Sequence, residues 1–227
     1  MTIADRLVQT RERIARAAIE CGRRPQDVEL VAVSKTKSAE AVREAYEAGQ
    51  RAFGENYAQE LVAKATALDG VSDIRWHFIG HLQSNKAKAV ARIAHVIHTV
   101  DSVSLARELG KRVAAEGRTG RMPVLIEVNV SGESHKSGVD PRTLREVLDA
   151  VRGQATLWAR GLMTVPPAED LVEARRAFEA LAALRDAHGG VVELPDLSIG
   201  MSSDLEVAIA CGATIVRVGT AIFGGRA

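Results

Sequence analysis

The sequence predicts a (β/α)8 barrel, and three observations carry that expectation. Apolar, strand-like runs alternate with helical patterns along almost the whole chain. About eight such runs are present, the number a closed barrel needs, and each but the last is followed by a clear helix. Strict alternation requires parallel pairing, because crossover helices are what connect parallel neighbours. A doubly wound open sheet is the competing architecture. It usually has fewer strands, and its dinucleotide-binding version carries G-x-G-x-x-G after the first strand. Ser34-Lys35-Thr36-Lys37 stands at that place instead.

The elements follow in order. Ile3, Leu7, Ile14 and Ala18 recur at helical spacing, so residues 3–20 form an extra N-terminal helix that stops near Gly22, with Pro25 just beyond. Strands are expected at 28–34, 51–55, 76–79, 96–100, 124–130, 157–163, 197–199 and 214–218. Helices are expected near 39–48, 58–68, 85–94, 104–115, 141–151, 169–188 and 204–210. No Pro/Ser-rich linker divides the chain, and the alternation is itself the repeat. The last strand runs into Gly219-Thr220-Ala221-Ile222-Phe223-Gly224-Gly225 close to residue 227, so no second domain is expected after it. Residues 1–227 are expected to form one domain.

Composition narrows the function. The 227 residues are 46% hydrophobic, ample for a core. Thirty basic residues face 29 acidic ones, a net charge of +1, which argues against a nucleic-acid partner. No apolar stretch is long enough to span a bilayer, and Met1-Thr2-Ile3-Ala4-Asp5-Arg6 lacks the apolar core of a secretory signal. Cys21 and Cys211 lie far apart and each precedes a glycine, which places both near helix ends and argues against a disulfide scaffold. The expectation is a cytoplasmic protein without membrane contact. The helix faces show no clear dimer stripe, so a monomer is expected.

In a barrel of this kind the chemistry sits at the C-terminal ends of the strands. Lys35 closes the first apolar run there. A lysine in an apolar setting can lose its proton, and a neutral amine can form a Schiff base with an aldehyde; the alternative is a solvated lysine at a strand exit, like Lys37. The seventh exit, Ser198-Ile199-Gly200-Met201-Ser202-Ser203-Asp204, is rich in small residues that let backbone N–H groups approach an anion. Ser203 and Glu206 have capping-box spacing, which leaves Ser202 free to donate. The eighth exit, Gly219-Thr220, repeats the pattern. Together the two make a phosphate cradle. Arg217, just inside the eighth strand, either pairs with Glu55 or Glu127 or donates to a ligand. Asn56 either touches a ligand or caps the next helix. Lys136, in the polar loop after the fifth strand, could face an anionic ligand. His77 with His81, and His95 with His98, lack the spacing and the third ligand of a metal site. G-x-x-x-x-G-K-[ST], G-x-S-x-G and H-E-x-x-H are absent, and carboxylates at strand ends are sparse.

Several long blocks then combine. Val31-Ala32-Val33-Ser34-Lys35-Thr36-Lys37, Phe53-Gly54-Glu55-Asn56-Tyr57, Trp76-His77-Phe78-Ile79-Gly80-His81-Leu82-Gln83, Ser198-Ile199-Gly200-Met201-Ser202 and Arg217-Val218-Gly219-Thr220-Ala221-Ile222-Phe223-Gly224 resemble, in order, the pyridoxal 5′-phosphate (PLP) homeostasis protein family. The resemblance implies a barrel like the N-terminal domain of alanine racemase, without that enzyme's second domain. It also implies a Schiff base from Lys35 to PLP, phosphate contacts near Ser202, Gly219 and Thr220, Arg217 facing the pyridine nitrogen, and Asn56 beside the cofactor. The implied role is PLP binding and delivery in vitamin B6 homeostasis, serving apo-enzymes and possible further B6 vitamers, without established turnover. The alternative is a PLP-dependent amino-acid racemase. That reaction needs a second base opposite Lys35, and the chain's tyrosines are Tyr46 and Tyr57. Tyr46 is expected on the outer ring, and Tyr57 at the start of the second barrel helix.

Overall fold

The computed structural model describes residues 1–133, 137–166 and 170–225. Eight parallel strands close into a barrel in sequence order: β1 (Glu29–Val33), β2 (Ala52–Glu55), β3 (Arg75–Phe78), β4 (Val96–Val100), β5 (Met122–Glu127), β6 (Leu157–Met163), β7 (Asp196–Ser198) and β8 (Ile215–Val218). β8 pairs back onto β1, with Val31 opposite Arg217. The outer ring comprises α2 (Ala39–Glu47), α3 (Ala58–Ala67), α4 (Ala87–Ile93), α5 (Val103–Ala115), α6 (Leu144–Arg152), α7 (Leu171–Ala187) with the short α8 (Gly190–Glu193), and α9 (Leu205–Ala210). The fold class read from the sequence is therefore the one observed.

Strand pleat explains the barrel's contents. Alternate residues point inward. Val31, Ala52, Val96, Leu125, Met163 and Ile215 form an apolar cluster of their own, separate from the larger core between strands and helices. Polar side chains share this interior: His77, His98, Ser198 and Arg217 are all buried. They lie in register with the inward set, since Gly54 pairs with His77, Met163 with Ser198 and Val31 with Arg217.

The N-terminal helix α1 (Ile3–Glu20) opens with a reciprocal capping box between Thr2 and Asp5. It packs across α2, α9 and the short α10 (Thr220–Phe223), covering the seam where β8 meets β1. Cys21 and Cys211 are the C-caps of α1 and α9, and both are free.

Three local expectations are corrected. The fifth strand ends at Glu127 because the chain beyond it pairs with its own returning loop: Val139 N–H donates to the Glu127 carbonyl and Asn129 N–H to the Val139 carbonyl. The helical runs near 85 and 141 begin as 3-10 turns, Ser84–Lys86 and Pro141–Thr143, before α4 and α6. The capping box at Ser203 does not form. Asp204 is the N-cap of α9, its carboxylate accepts from Met201 N–H at 2.5 Å, and Glu206 pairs with Arg13 at 2.8 Å. Among the described residues no helix is long and apolar enough to cross a membrane.

Candidate functional site at the C-terminal rim

Lys35 lies two residues past the end of β1, half-buried at the C-terminal rim. The next residue, Thr36, has φ of 63°. A β-branched residue in the left-handed region is a genuine outlier and needs outside support. The support is visible. Thr36 N–H donates to Glu60 Oε2 at 2.8 Å. Beneath the turn lies Lys64 of α3, only 5% exposed. Its ammonium donates to the Ser34 carbonyl at 2.6 Å, to Glu55 Oε1 at 2.7 Å and to Glu60 Oε2 at 2.9 Å. Three protons meet three acceptors, and the Ser34 hydroxyl donates to Glu55 Oε1 at 2.6 Å. Burial pushes the Glu55 carboxyl above its ordinary value, opposed by Lys64 and Ser34. Lys64 thus ties the exits of β1 and β2 to α3. Lys37 is accounted for elsewhere, donating to the Gly225 carbonyl at 2.6 Å. Among the described residues Lys35 Nζ makes no hydrogen bond or ion pair. Lys136 lies outside the described residues.

On the neighbouring strand, Arg217 is 4% exposed. Neither Glu55 nor Glu127 hydrogen-bonds it. Its Nη1 donates to both the carbonyl and the hydroxyl of Ser198, each at 2.6 Å, and its Nη2 donates to the Thr164 carbonyl at 2.9 Å. A guanidinium has five N–H groups, so Nε–H and one Nη2–H remain for a ligand. Burial lowers its pKa to about 10, against the pull of Glu127 and Asp204; it stays charged at neutral pH.

Beyond β8, Gly219 packs against the end of β1: a Cβ there would stand 3.2 Å from the Val33 carbonyl. This close approach sets the β8 exit beside the β1 exit. Thr220 Oγ1 donates to Ser202 Oγ at 3.1 Å, and Ala221 N–H donates to the same oxygen at 3.4 Å. The Ser202 carbonyl is held from outside by Arg13 Nη2 of α1 at 3.1 Å. At the β2 exit, Gly80 lets the third strand's exit press onto the Asn56 backbone, where a Cβ would collide with the Asn56 carbonyl. Asn56 Oδ1 is buried with no hydrogen-bond partner.

Lys35, Asn56, Ser202, Arg217, Gly219 and Thr220 therefore stand on four consecutive exits, those of β7, β8, β1 and β2. The donor set comprises hydroxyls, a glycine-lined approach, a guanidinium with two spare N–H groups and a free amine. It suits a phosphorylated aldehyde that carries a further hydrogen-bond acceptor. Sequence reasoning missed three things here. It left Lys64 unread, because Glu60 and Lys64 look like an ordinary exposed i,i+4 pair on a helix. It did not join His77 to His98. It treated Glu127 only as a partner for Arg217. Glu127 is 9% exposed at the end of β5, and its Oε2 lacks a partner. Burial raises its pKa to about 7, Asp101 adds to the rise, and Arg217 opposes it.

The racemase alternative can be compared with the same geometry. Tyr46 lies near the end of α2, where the chain returns to the barrel floor, and its hydroxyl donates to Asp73 Oδ1 at 2.6 Å under Arg51. Tyr57 follows Asn56 at the rim and is 54% exposed. No group of three metal-ligating side chains occurs among the described residues.

A parallel barrel with an unpaired lysine after its first strand and a buried arginine on its last defines a class. Residues 9–227 match the family model described as alanine racemase, N-terminal domain. Within that class, the pyridoxal phosphate homeostasis protein of Escherichia coli is 45% identical over 230 residues, covering 99% of this chain and 97% of the relative. The one from Aquifex aeolicus is 42% identical, covering 100% and 99%. The structure of PipY from Synechococcus elongatus with PLP bound superposes with a TM-score of 0.84 at 38% identity, covering 98% of this chain and 100% of that one. Alanine racemase from Corynebacterium glutamicum, at 22% identity and a TM-score of 0.67, shares the barrel fold over 62% of its length. The chain belongs to the pyridoxal phosphate homeostasis protein family.

Proposed function

We propose that this chain binds PLP at the β7–β8–β1–β2 rim and holds it covalently through Lys35 for vitamin B6 homeostasis. The amine adds to the cofactor aldehyde and water leaves, giving a Schiff base that hydrolysis reverses. Ser202, Gly219 and Thr220 receive the phosphate, and Asn56 meets the ligand with its unpartnered oxygen. Arg217 directs its spare N–H groups at the pyridine nitrogen. Bound PLP supplies an electron sink, and an arginine donor keeps the ring nitrogen unprotonated, which weakens that sink. Such a site retains the cofactor and favours few reactions. Relatives named for PLP homeostasis and PipY solved with PLP bound support the reading.

The role is storage and release to apo-enzymes in the cytoplasm, with other B6 vitamers as secondary ligands. The chain acts as one domain, residues 1–227, and as a monomer. The observation that carries the proposal is the free Lys35 amine on a strained turn buttressed from below by Lys64. The experiment is an absorbance spectrum of protein mixed with PLP, before and after borohydride, followed by mass mapping of the modified lysine. The expected result is an imine band near the visible edge in the wild type and its loss in Lys35→Ala. A surviving band would move the assignment to Lys37 or Lys136. Incubation with single-enantiomer alanine in heavy water tests the racemase reading: deuterium at the α-carbon at enzymatic rates would overturn a holding role.

A further inference from the structure

A line of hydrogen bonds runs down the inside of the barrel behind Arg217. The guanidinium donates to Ser198 Oγ at 2.6 Å. Ser198 Oγ lies 2.9 Å from His98 Nδ1, and His98 Nε2 lies 2.9 Å from His77 Nδ1. The three residues are at most 1% exposed. His77 lines a cavity of about 580 Å3 at the opposite, N-terminal mouth of the barrel, beside Glu29, Arg75 and Asp196. The line therefore joins the rim to the floor, running beside the apolar cluster of Val31, Val96, Leu125 and Ile215.

Chemistry fixes the direction of this line. Arginine only donates, so Ser198 Oγ must accept from it. If His98 Nδ1–H also donated to that oxygen, the buried serine proton would have no acceptor among the described residues, at a cost of about 1–3 kcal/mol. The serine therefore donates to His98 Nδ1. His98, neutral, carries its proton on Nε2 and donates to His77 Nδ1. His77 in turn carries its proton on Nε2, facing the floor cavity. Burial holds both imidazoles neutral, His77 down to about 3 and His98 well below the ordinary histidine value, with neighbouring charges adding to the effect. Every acceptor behind Arg217 is then uncharged: a hydroxyl and two backbone carbonyls. The guanidinium is oriented from behind without being neutralised there, and its charge is directed to the rim.

We infer that Ser198, His98 and His77 form a one-way hydrogen-bonded strut that positions Arg217 for its ligand and links the rim to the floor cavity. Ser198 and His98 are positioning residues, since they act through Arg217. The inference rests on the PLP reading of the rim, and the tests separate the two. Long-range proton–nitrogen NMR of the free protein reports the tautomers with no cofactor present. Both histidines are expected as Nε2–H with unprotonated Nδ1 from pH 6 to 8; a His98 protonated on Nδ1 would reverse the strut and overturn the inference.

The second test is Ser198→Ala loaded with PLP. The Lys35 imine band still forms, which keeps the PLP reading intact. The band maximum shifts, and affinity falls about tenfold, the loss of roughly one hydrogen bond to a charged group. His98→Gln, whose amide can accept from Ser198 and donate to His77, retains the wild-type maximum, whereas His98→Leu shifts it as Ser198→Ala does. Wild-type affinity and band position in Ser198→Ala and His98→Leu alike would sink the inference. An absent imine band in the wild type would sink the PLP reading and leave the tautomer result standing.

Discussion

Glu127 is a buried carboxyl whose buried Oε2 has no partner and whose pKa is raised to about 7. Ionising it in the fold is harder than in the unfolded chain, where the ordinary value is 4.5. The neutral acid's contribution is fully present below pH 4.5 and is lost as pH rises toward 7, because the unfolded state releases its proton first. A shift of this size corresponds to about 3 kcal/mol. Replacing Glu127 with Gln removes the titration while keeping shape and polarity. We expect Glu127→Gln to match the wild type near pH 4.5 and to be more stable by about 1–3 kcal/mol at pH 8, in denaturant titrations. Equal stability of the two proteins at pH 8 would show that the carboxylate is solvated or paired. The same substitution leaves Arg217 with less negative charge nearby, so the anionic ligand should bind no more weakly at pH 8 than it does to the wild type.

At the scale of elements, the Lys35 turn depends on α3. Lys64 holds a strand exit, a neighbouring strand's carboxylate and its own helix's Glu60 in one buried cluster. Removing one partner of a buried pair leaves an uncompensated charge, at about 3–5 kcal/mol. Lys64→Met is expected to lose about that much stability, and Lys64→Met with Glu55→Gln to recover part of it. Both should hold PLP less tightly than wild type although neither side chain is proposed to contact it, because the Ser34 carbonyl and Glu60, which accepts from Thr36 N–H, lose the ammonium that fixes them beneath the turn. Cofactor retention on a desalting column reads this, and full retention by Lys64→Met would refute the coupling. The cluster shows where sequence reading stops. Strand and helix order was legible because apolar periodicity is local: α1, β4 and β6 span the ranges expected from pattern alone. The strand exits that carry Lys35, Asn56, Ser202, Gly219 and Thr220 were legible because the apolar runs end there. Lys64 was not, since its burial depends on how α3 rotates against β1 and β2. The His77–His98 contact was not either, because it depends on the register of β3 with β4, where His77 faces Val96. β5 ended early for a similar reason: Val139, far along the chain, returns to pair beyond Glu127.

For the whole molecule, the barrel interior sets how stability varies with acid. His77 and His98 are both neutral in the fold, with His77 depressed from 6.5 to about 3 chiefly by burial. A depressed histidine contributes stability that is present above pH 6.5 and lost as pH falls toward 3, since the unfolded chain takes up the proton first. Glu127 works the other way over pH 4.5 to 7, gaining stability on acidification. Two histidines against one carboxyl leave a net loss of about one proton's slope between pH 6.5 and 4.5, and below about pH 4.5 both histidine losses run unopposed. The barrel should therefore lose stability gently between about pH 6.5 and 4.5 and about twice as steeply beneath that. The interior strut makes that limb specific: protonating His98 would put a cation beside Arg217 and end its acceptance from Ser198. We expect His77→Gln to flatten the steep limb by roughly half, and Glu127→Gln to remove the upper offset, so that stability falls at the full two-histidine slope from pH 6.5. Unfolding free energies from pH 4 to 8 for the three proteins decide it. An acid limb of unchanged slope in His77→Gln would mean that surface carboxylates, not the buried imidazoles, control the acid response of this barrel.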